Sequence, residues 1–212
     1  MPEKSWLANV IEYCDTENHG HFGELVMTLG YGLIGLIVII AGYLMYAYNS
    51  LVSNKNLVAE GWSGIDVQLR RRADLIPNLI ETVKGYAAHE DKLFHDIAEL
   101  RAKSISGGSV AEQSAVGQAM SGALGKLFAV AEAYPELKAD ANFRDLQEKL
   151  SGIEDEIQLS RRYYNGAVRN LNTLIQSFPS NFVANYFKFT PAEFFEIGDA
   201  AAREVPKVSF NK

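Results

Sequence analysis

The chain has 212 residues, 48% hydrophobic and 22% charged, with a formal net charge of −6. That composition suits a single core-burying domain with an attachment, and the acidic balance gives no clustered basic surface for nucleic acid. One cysteine, Cys14, excludes an intrachain disulfide and any cysteine-based metal site; outside the cytoplasm it could still crosslink two chains, but an incidental thiol is the simpler reading.

Residues 1–24 form an acidic leader with Glu3, Glu12, Asp15, Glu17 and Glu24. Its "SWLANVIEY" puts Trp6, Val10 and Tyr13 on one helical face, as in a short interfacial helix. A loose tail fits the same residues equally well. His19 and His21, in "HGH", are too few for a metal site.

Residues 25–48, "LVMTLGYGLIGLIVIIAGYLMYAY", run 24 positions without a charge. As a helix they span about 36 Å, enough for a hydrocarbon core of roughly 30 Å with some tilt. An acidic preceding region, excess length and no clean cleavage motif argue against a signal peptide. A core helix this apolar does not suit so small a soluble domain. The segment reads as a transmembrane anchor, with Tyr43, Tyr46 and Tyr48 as an interfacial cluster. Lys4 and Lys55 lie on opposite sides, so basic residues barely vote on orientation. A short acidic leader is easily translocated, which favours an outside N-terminus and a cytoplasmic body.

Residues 49–177 carry helical periodicity and no strand-like alternation. Val58, Trp62, Ile65 and Leu69 form one stripe. Val83, Tyr86, Leu93, Ile97 and Leu100 form a second, and Val116, Met120, Leu124, Leu127 and Phe128 a third. The fourth keeps a 3-4 spacing from Phe143 through Leu146, Leu150, Ile153, Ile157, Ser160, Tyr164, Ala167 and Leu171 to Leu174. Turn signals fall at "SISGGSV" (104–110), "YPELKADAN" (134–142) and "FPSN" (178–181).

The stretch "LRRRADLIPNLIE" (69–81) sets three arginines ahead of a proline. Read locally, Arg70, Arg71 and Arg72 favour a helix C-terminus, Asp74 an N-cap and Pro77 a first turn. Proline inside a helix would cost about 3 kcal/mol. The stretch therefore predicts a stop and a restart, giving helices near 49–73, 75–104, 110–134 and 141–177. The alternative is one kinked helix. Arg72 falls on the apolar stripe and calls for a buried or half-buried acidic partner. The expected architecture is all-α: a single transmembrane helix, then an antiparallel up-and-down four-helix bundle over 49–177.

Two further features are candidate contact surfaces. Ala111, Ala115, Ala119 and Ala123 recur every four residues, and small residues let helices approach closely, within the chain or between subunits. The tail, 178–212, carries Phe178, Phe182, Tyr186, Phe187, Phe189, Phe194 and Phe195. These aromatics can cap the bundle's open end, lie on the bilayer or meet a partner.

"YNSLVSNKNLVAEGWSGIDVQLRRRADLIPNLIETVKGYAAHE" and "SRRYYNGAVRNLNTLIQSFPSNFVANYFKFTPAEFFEI" resemble the two halves of the LemA family, over roughly residues 46–198. The resemblance implies one N-terminal membrane helix, an antiparallel helical bundle, and a bacterial cytoplasmic-membrane location with the leader outside. It implies no catalytic residues. It also implies links to stress-type membrane zinc metalloproteases and to a magnetosome-membrane relative. The long acidic leader departs from the family, so nothing carries over to residues 1–24.

No HExxH, P-loop, GxGxxG or GxSxG motif occurs. His89 and His95 are six apart and point in different directions, and Glu154, Asp155 and Glu156 spread around a helix. A di-metal carboxylate site wants Glu-x-x-His repeats on paired helices, which are absent. The expectation is a non-enzymatic, cofactor-free membrane scaffold that homo-oligomerises and organises or shapes the bilayer. The alternatives are an adaptor for a membrane metalloprotease and a sensor that relays a signal from the leader.

Overall fold

A computed structural model describes the backbone of residues 4–87 and 89–196, with side chains from Met27 onward. The side chains of the leader, including Trp6, Cys14, His19 and His21, and the segment from Ile197 onward lie outside the described residues. The elements are α1 (Lys4–Lys84), α2 (Asp91–Ser106), α3 (Val110–Ala131), α4 (Pro135–Ala139), α5 (Ala141–Gln176) and α6 (Ser180–Tyr186). No strand occurs among the described residues. The chain divides into two compact units, Met1–Ser50 and Leu51–Lys212.

From Met27 to Tyr46, α1 is apolar on every side. Leu33 is 60% exposed, Ile39 70% and Met45 69%. A soluble helix normally buries one stripe and wets the rest; between Met27 and Tyr46 no face is buried and none is charged. The helix from Met27 on is long and apolar enough to cross a membrane.

The second unit buries its stripes. Ile76, Leu79 and Val83 of α1 pack with Phe94 and Ile97 of α2, with Met120, Leu124 and Leu127 of α3, and with Phe143, Leu146 and Leu150 of α5. A second cluster joins Ile65 and Leu69 of α1 to Ile153, Ile157, Tyr164 and Val168 of α5, with Phe195 from the tail. Where α1 meets α5 the backbones come close. A β-carbon at Gly61 would lie 3.0 Å from the Tyr164 α-carbon.

Local signals set most helix ends. Gly107, at φ 75°, turns the chain after α2. Ser109 then opens α3 with a capping box: its hydroxyl accepts from the Glu112 N–H while the Glu112 carboxylate accepts from the Ser109 N–H. Pro135 occupies the first turn of α4. Asp140 caps α5 by accepting from the N–H groups of Asn142 (2.8 Å) and Phe143 (2.9 Å).

The break expected at Arg72, Asp74 and Pro77 does not occur. α1 runs through all three to Lys84, with Pro77 in its interior, and α2 begins only at Asp91. Asp74 is exposed on the helix surface rather than capping a new one. The physical reason lies 28 positions away. Pro77 has no N–H to give the Ala73 carbonyl, but Arg101 of α2 donates its Nε–H to that oxygen at 2.8 Å. Ala73 is buried, so the replacement removes the main electrostatic penalty of an interior proline.

Candidate functional site

A polar layer lies at the junction of the two apolar clusters, both of which Leu75 touches. On α1, Arg72 lies between Leu69 of one cluster and Ile76 of the other; on α5, Glu154 follows Ile153, where the second cluster begins after Leu150 of the first. Arg72 is 1% exposed. Its Nη1 donates to Glu154 Oε1 at 2.6 Å and to the Ser121 hydroxyl of α3 at 3.1 Å. This is the acidic partner that the position of Arg72 called for. Ser121 Oγ also lies 2.9 Å from Glu154 Oε2 and 3.1 Å from the Gly117 carbonyl, and its single proton serves one of them at a time. Three helices thus meet at one hydrogen-bonded junction.

A second cation belongs to the layer. Arg161, two turns beyond Glu154 on α5, stacks its guanidinium on the Phe195 ring at 4.7 Å. Burial lowers its pKa, Arg72 lowers it further as a like charge, and Glu154 opposes them. Arg72 Nη2 and Arg161 Nε and Nη2 are buried and meet no hydrogen-bond partner among the described residues.

Phe195 is held there by an extended strap. Asn172 of α5 pairs with Ala192 through two bonds, Nδ2 to the carbonyl (2.9 Å) and Ala192 N–H to Oδ1 (2.8 Å). Asn165 repeats the arrangement with Phe195, at 3.0 and 2.8 Å. Tyr164 donates its hydroxyl to the Glu193 carbonyl at 2.9 Å, and Ser114 of α3 donates to the Glu196 carbonyl. Burial, then the Glu193 charge, raise the Tyr164 pKa. The strap runs antiparallel to α5 and is fastened almost wholly by its backbone.

The tail aromatics therefore separate. Phe195 is core, at 1% exposure, and Phe189 is half-buried, whereas Phe178 (79%), Phe182 (65%), Tyr186 (80%) and Phe187 (52%) are open, with Phe194 at 44%. The open residues form two edge-to-face pairs, Phe178 with Phe182 and Tyr186 with Phe187. In the alanine series, Ala111 and Ala115 border a groove shared with Glu193, Phe194 and Glu196 of the strap. Ala119 and Ala123 border another, shared with Leu93, Leu100 and Lys103 of α2. His89 and His95 are exposed. Among the described residues, no three His, Cys, Asp or Glu side chains gather as a metal site.

Arg161, Glu154, Asn165, Asn172 and Arg101 carry this geometry and were not singled out as site residues from the sequence. The one available signal was spacing: Asn165 and Asn172 are seven apart, and so share a face of α5.

These features define an all-helical protein with one apolar helix of membrane-spanning length and a helical body tied through a polar layer. Residues 61–210 match the model of the LemA family, and the chain belongs to that family. It is similar to magnetosome protein MamQ 2 of Paramagnetospirillum magneticum, 25% identical over 77% of this chain and 70% of the relative. Magnetosome protein MamQ of Magnetospirillum gryphiswaldense is 25% identical over 82% and 73% of the two chains. Protein LemA of Metamycoplasma hominis is 28% identical over 64% and 63%.

Proposed function

We propose that this LemA-family protein is a membrane-anchored, non-enzymatic scaffold that self-associates and organises the bilayer holding it. The observation that carries the reading is the Met27–Met45 stretch, apolar on all sides and exposed around its circumference. Such a surface demands an apolar medium, at about 25 cal/mol for each Å² removed from water. The open pairs Phe178–Phe182 and Tyr186–Phe187 add a second apolar surface, suited to the headgroup region or to another subunit. Similarity to MamQ, named for an organelle bounded by membrane, supports the same reading. The body is taken as an antiparallel up-and-down four-helix bundle on the cytoplasmic side of the bacterial inner membrane, with the leader outside. Four long helices sharing one core support that arrangement.

The test is the mass of the full-length protein in mild detergent by light scattering, with negative-stain images of the same sample. A discrete assembly of several subunits is expected. A strict monomer, in detergent and after crosslinking in native membranes, overturns the scaffold reading.

A further inference from the structure

Register shows at which end of the body the chain enters it. Arg72 meets Glu154; eleven residues earlier on α1, Gly61 meets Tyr164, ten residues later on α5. Numbers fall on one helix as they rise on the other, with the same rise per residue. Ten residues further, that register sets Leu51, the first residue of the second unit, level with Leu174, close to the end of α5 at Gln176. α6 follows three residues later. Leu51, Leu171, Ile175 and Val183 are all buried. The apolar stretch of α1 ends at Tyr46, five residues before Leu51. Five residues of chain span at most about 18 Å, so α6 sits at the end of the body that the chain enters from its membrane segment. There α6 buries Ser180, Val183 and Ala184 and exposes Phe182 and Tyr186. Phe178, also exposed, meets Phe182 edge to face at 5.9 Å.

The same end carries cations and no carboxylate. Residues 51–59 and 157–192 hold none of the chain's 26 acidic side chains, whereas Lys55, Arg169 and Lys188 are exposed there. Lys55 and, by the same register, Arg169 stand about 6 Å beyond the level of Leu51, inside a Debye length of about 8 Å. A second copy docked on this face by a two-fold axis would set these cations against their own counterparts, with no acid to meet them. An anionic headgroup layer accepts both the aromatic rings and the cations.

We propose that the outer face of α6, formed by Phe178, Phe182 and Tyr186 and rimmed by Lys55, Arg169 and Lys188, docks on the anionic headgroup layer of the bilayer that anchors the chain. The proposal rests on the membrane-anchored reading above and adds a second, interfacial attachment to the spanning one. The body is then held to the membrane at two points.

The test uses the full-length protein in vesicles of phosphatidylcholine with one third phosphatidylglycerol, whose acyl chains carry bromine as a short-range quencher. Phe182→Trp places a fluorescent reporter on the α6 face, and Ile37→Trp places one in the anchor. Trp6 and Trp62 of the parent protein set the background. The Phe182→Trp reporter should lose about half of its emission in brominated relative to plain vesicles, as a ring seated in the interface does. Adding Phe178→Ser and Tyr186→Ser should cut that loss at least about twofold by removing the apolar contact, while the Ile37→Trp reporter stays quenched with or without them. Quenching of Ile37→Trp without quenching of Phe182→Trp overturns the docking and leaves the anchor standing. If Ile37→Trp also escapes quenching, the membrane-anchored reading falls and takes this proposal with it. A Phe182→Trp reporter shielded from aqueous iodide yet untouched by brominated lipid marks a second copy on the face, and likewise overturns the docking on lipid.

Discussion

Arg101 Nε reaches the Ala73 carbonyl oxygen at 2.8 Å and donates the hydrogen bond that Pro77 cannot. A side chain from α2 thereby completes the backbone ladder of α1. Arg101→Leu should destabilise the full-length protein by about 1–3 kcal/mol, the cost of a buried carbonyl left unmet. Pro77→Ala restores an N–H at that position, so the same Arg101→Leu change should cost at least ~1 kcal/mol less in the alanine background. Urea unfolding of the four proteins measures the coupling. Equal costs in both backgrounds would show that Arg101 acts elsewhere.

The junction of Arg72, Ser121 and Glu154 should be sensitive to removal of its carboxylate. Glu154→Gln leaves two buried guanidinium groups without a counter-charge. A broken buried pair costs about 3–5 kcal/mol; because the Glu154 side chain is 28% exposed, the low end is expected. Ser121→Ala should cost less, about 1 kcal/mol. A Glu154→Gln midpoint equal to wild type would remove Glu154 from any role in holding the layer.

Gly61 and Gly64 offer a matched pair on α1. A β-carbon at Gly61 meets the Tyr164 backbone at 3.0 Å and the Tyr163 ring at 3.2 Å, whereas one at Gly64 meets nothing within 4 Å. Gly61→Ala should lose about 1–3 kcal/mol by forcing α1 from α5. Gly64→Ala should be neutral or gain up to about 1 kcal/mol from helix propensity. The thermal midpoint of Gly61→Ala should fall below wild type and that of Gly64→Ala should lie at or above it. Both falling together would refute the close contact at Gly61.

The pH dependence should trace partly to helix caps. The Asp140 pKa is lowered, first by the bond from the Phe143 N–H, with Tyr86 and the Asn142 N–H assisting. A lowered folded value means that the cap stabilises above the ordinary aspartate pKa and is lost as pH falls through the folded value. Stability should therefore decline below about pH 4. Glu112, in the capping box, and Glu99, paired with Lys103, are lowered too and act in the same acidic window. Asp140→Asn keeps a capping oxygen without a titrating proton and should flatten part of the acid limb. Urea midpoints followed into acid for both proteins test this; identical slopes would clear Asp140 of any share.

The stripes were readable because burial imposes a period. Ile65, Leu69, Ile97, Met120, Leu127, Ile153 and Ile157 are buried as their spacing predicted, and the half-buried carboxylate opposite Arg72 followed from the place of Arg72 on a stripe. The break at residues 72–77 was misread for a physical reason. Capping and proline rules are local, while the donor that rescues α1 sits on another helix. The strap was hidden likewise. Asn165 and Asn172 look like ordinary polar positions on α5 until an extended segment from residues 190–196 lies beside them, and Phe195 cannot be told from its exposed aromatic neighbours by composition.

The two asparagine clamps also act as a ruler. Seven residues of helix advance about 10.5 Å, and three residues of extended chain advance about 10 Å. Asn172 to Asn165 on one side and Ala192 to Phe195 on the other therefore match in length, step for step. Because the clamps hold only main-chain atoms, Glu193 and Phe194 between them can be replaced freely, but the number of residues between them cannot change. One residue inserted there would slide Phe195 off its mark by some 3 Å, and the guanidinium of Arg161 would lose its cover. This part of the protein is specified by counting rather than by spelling.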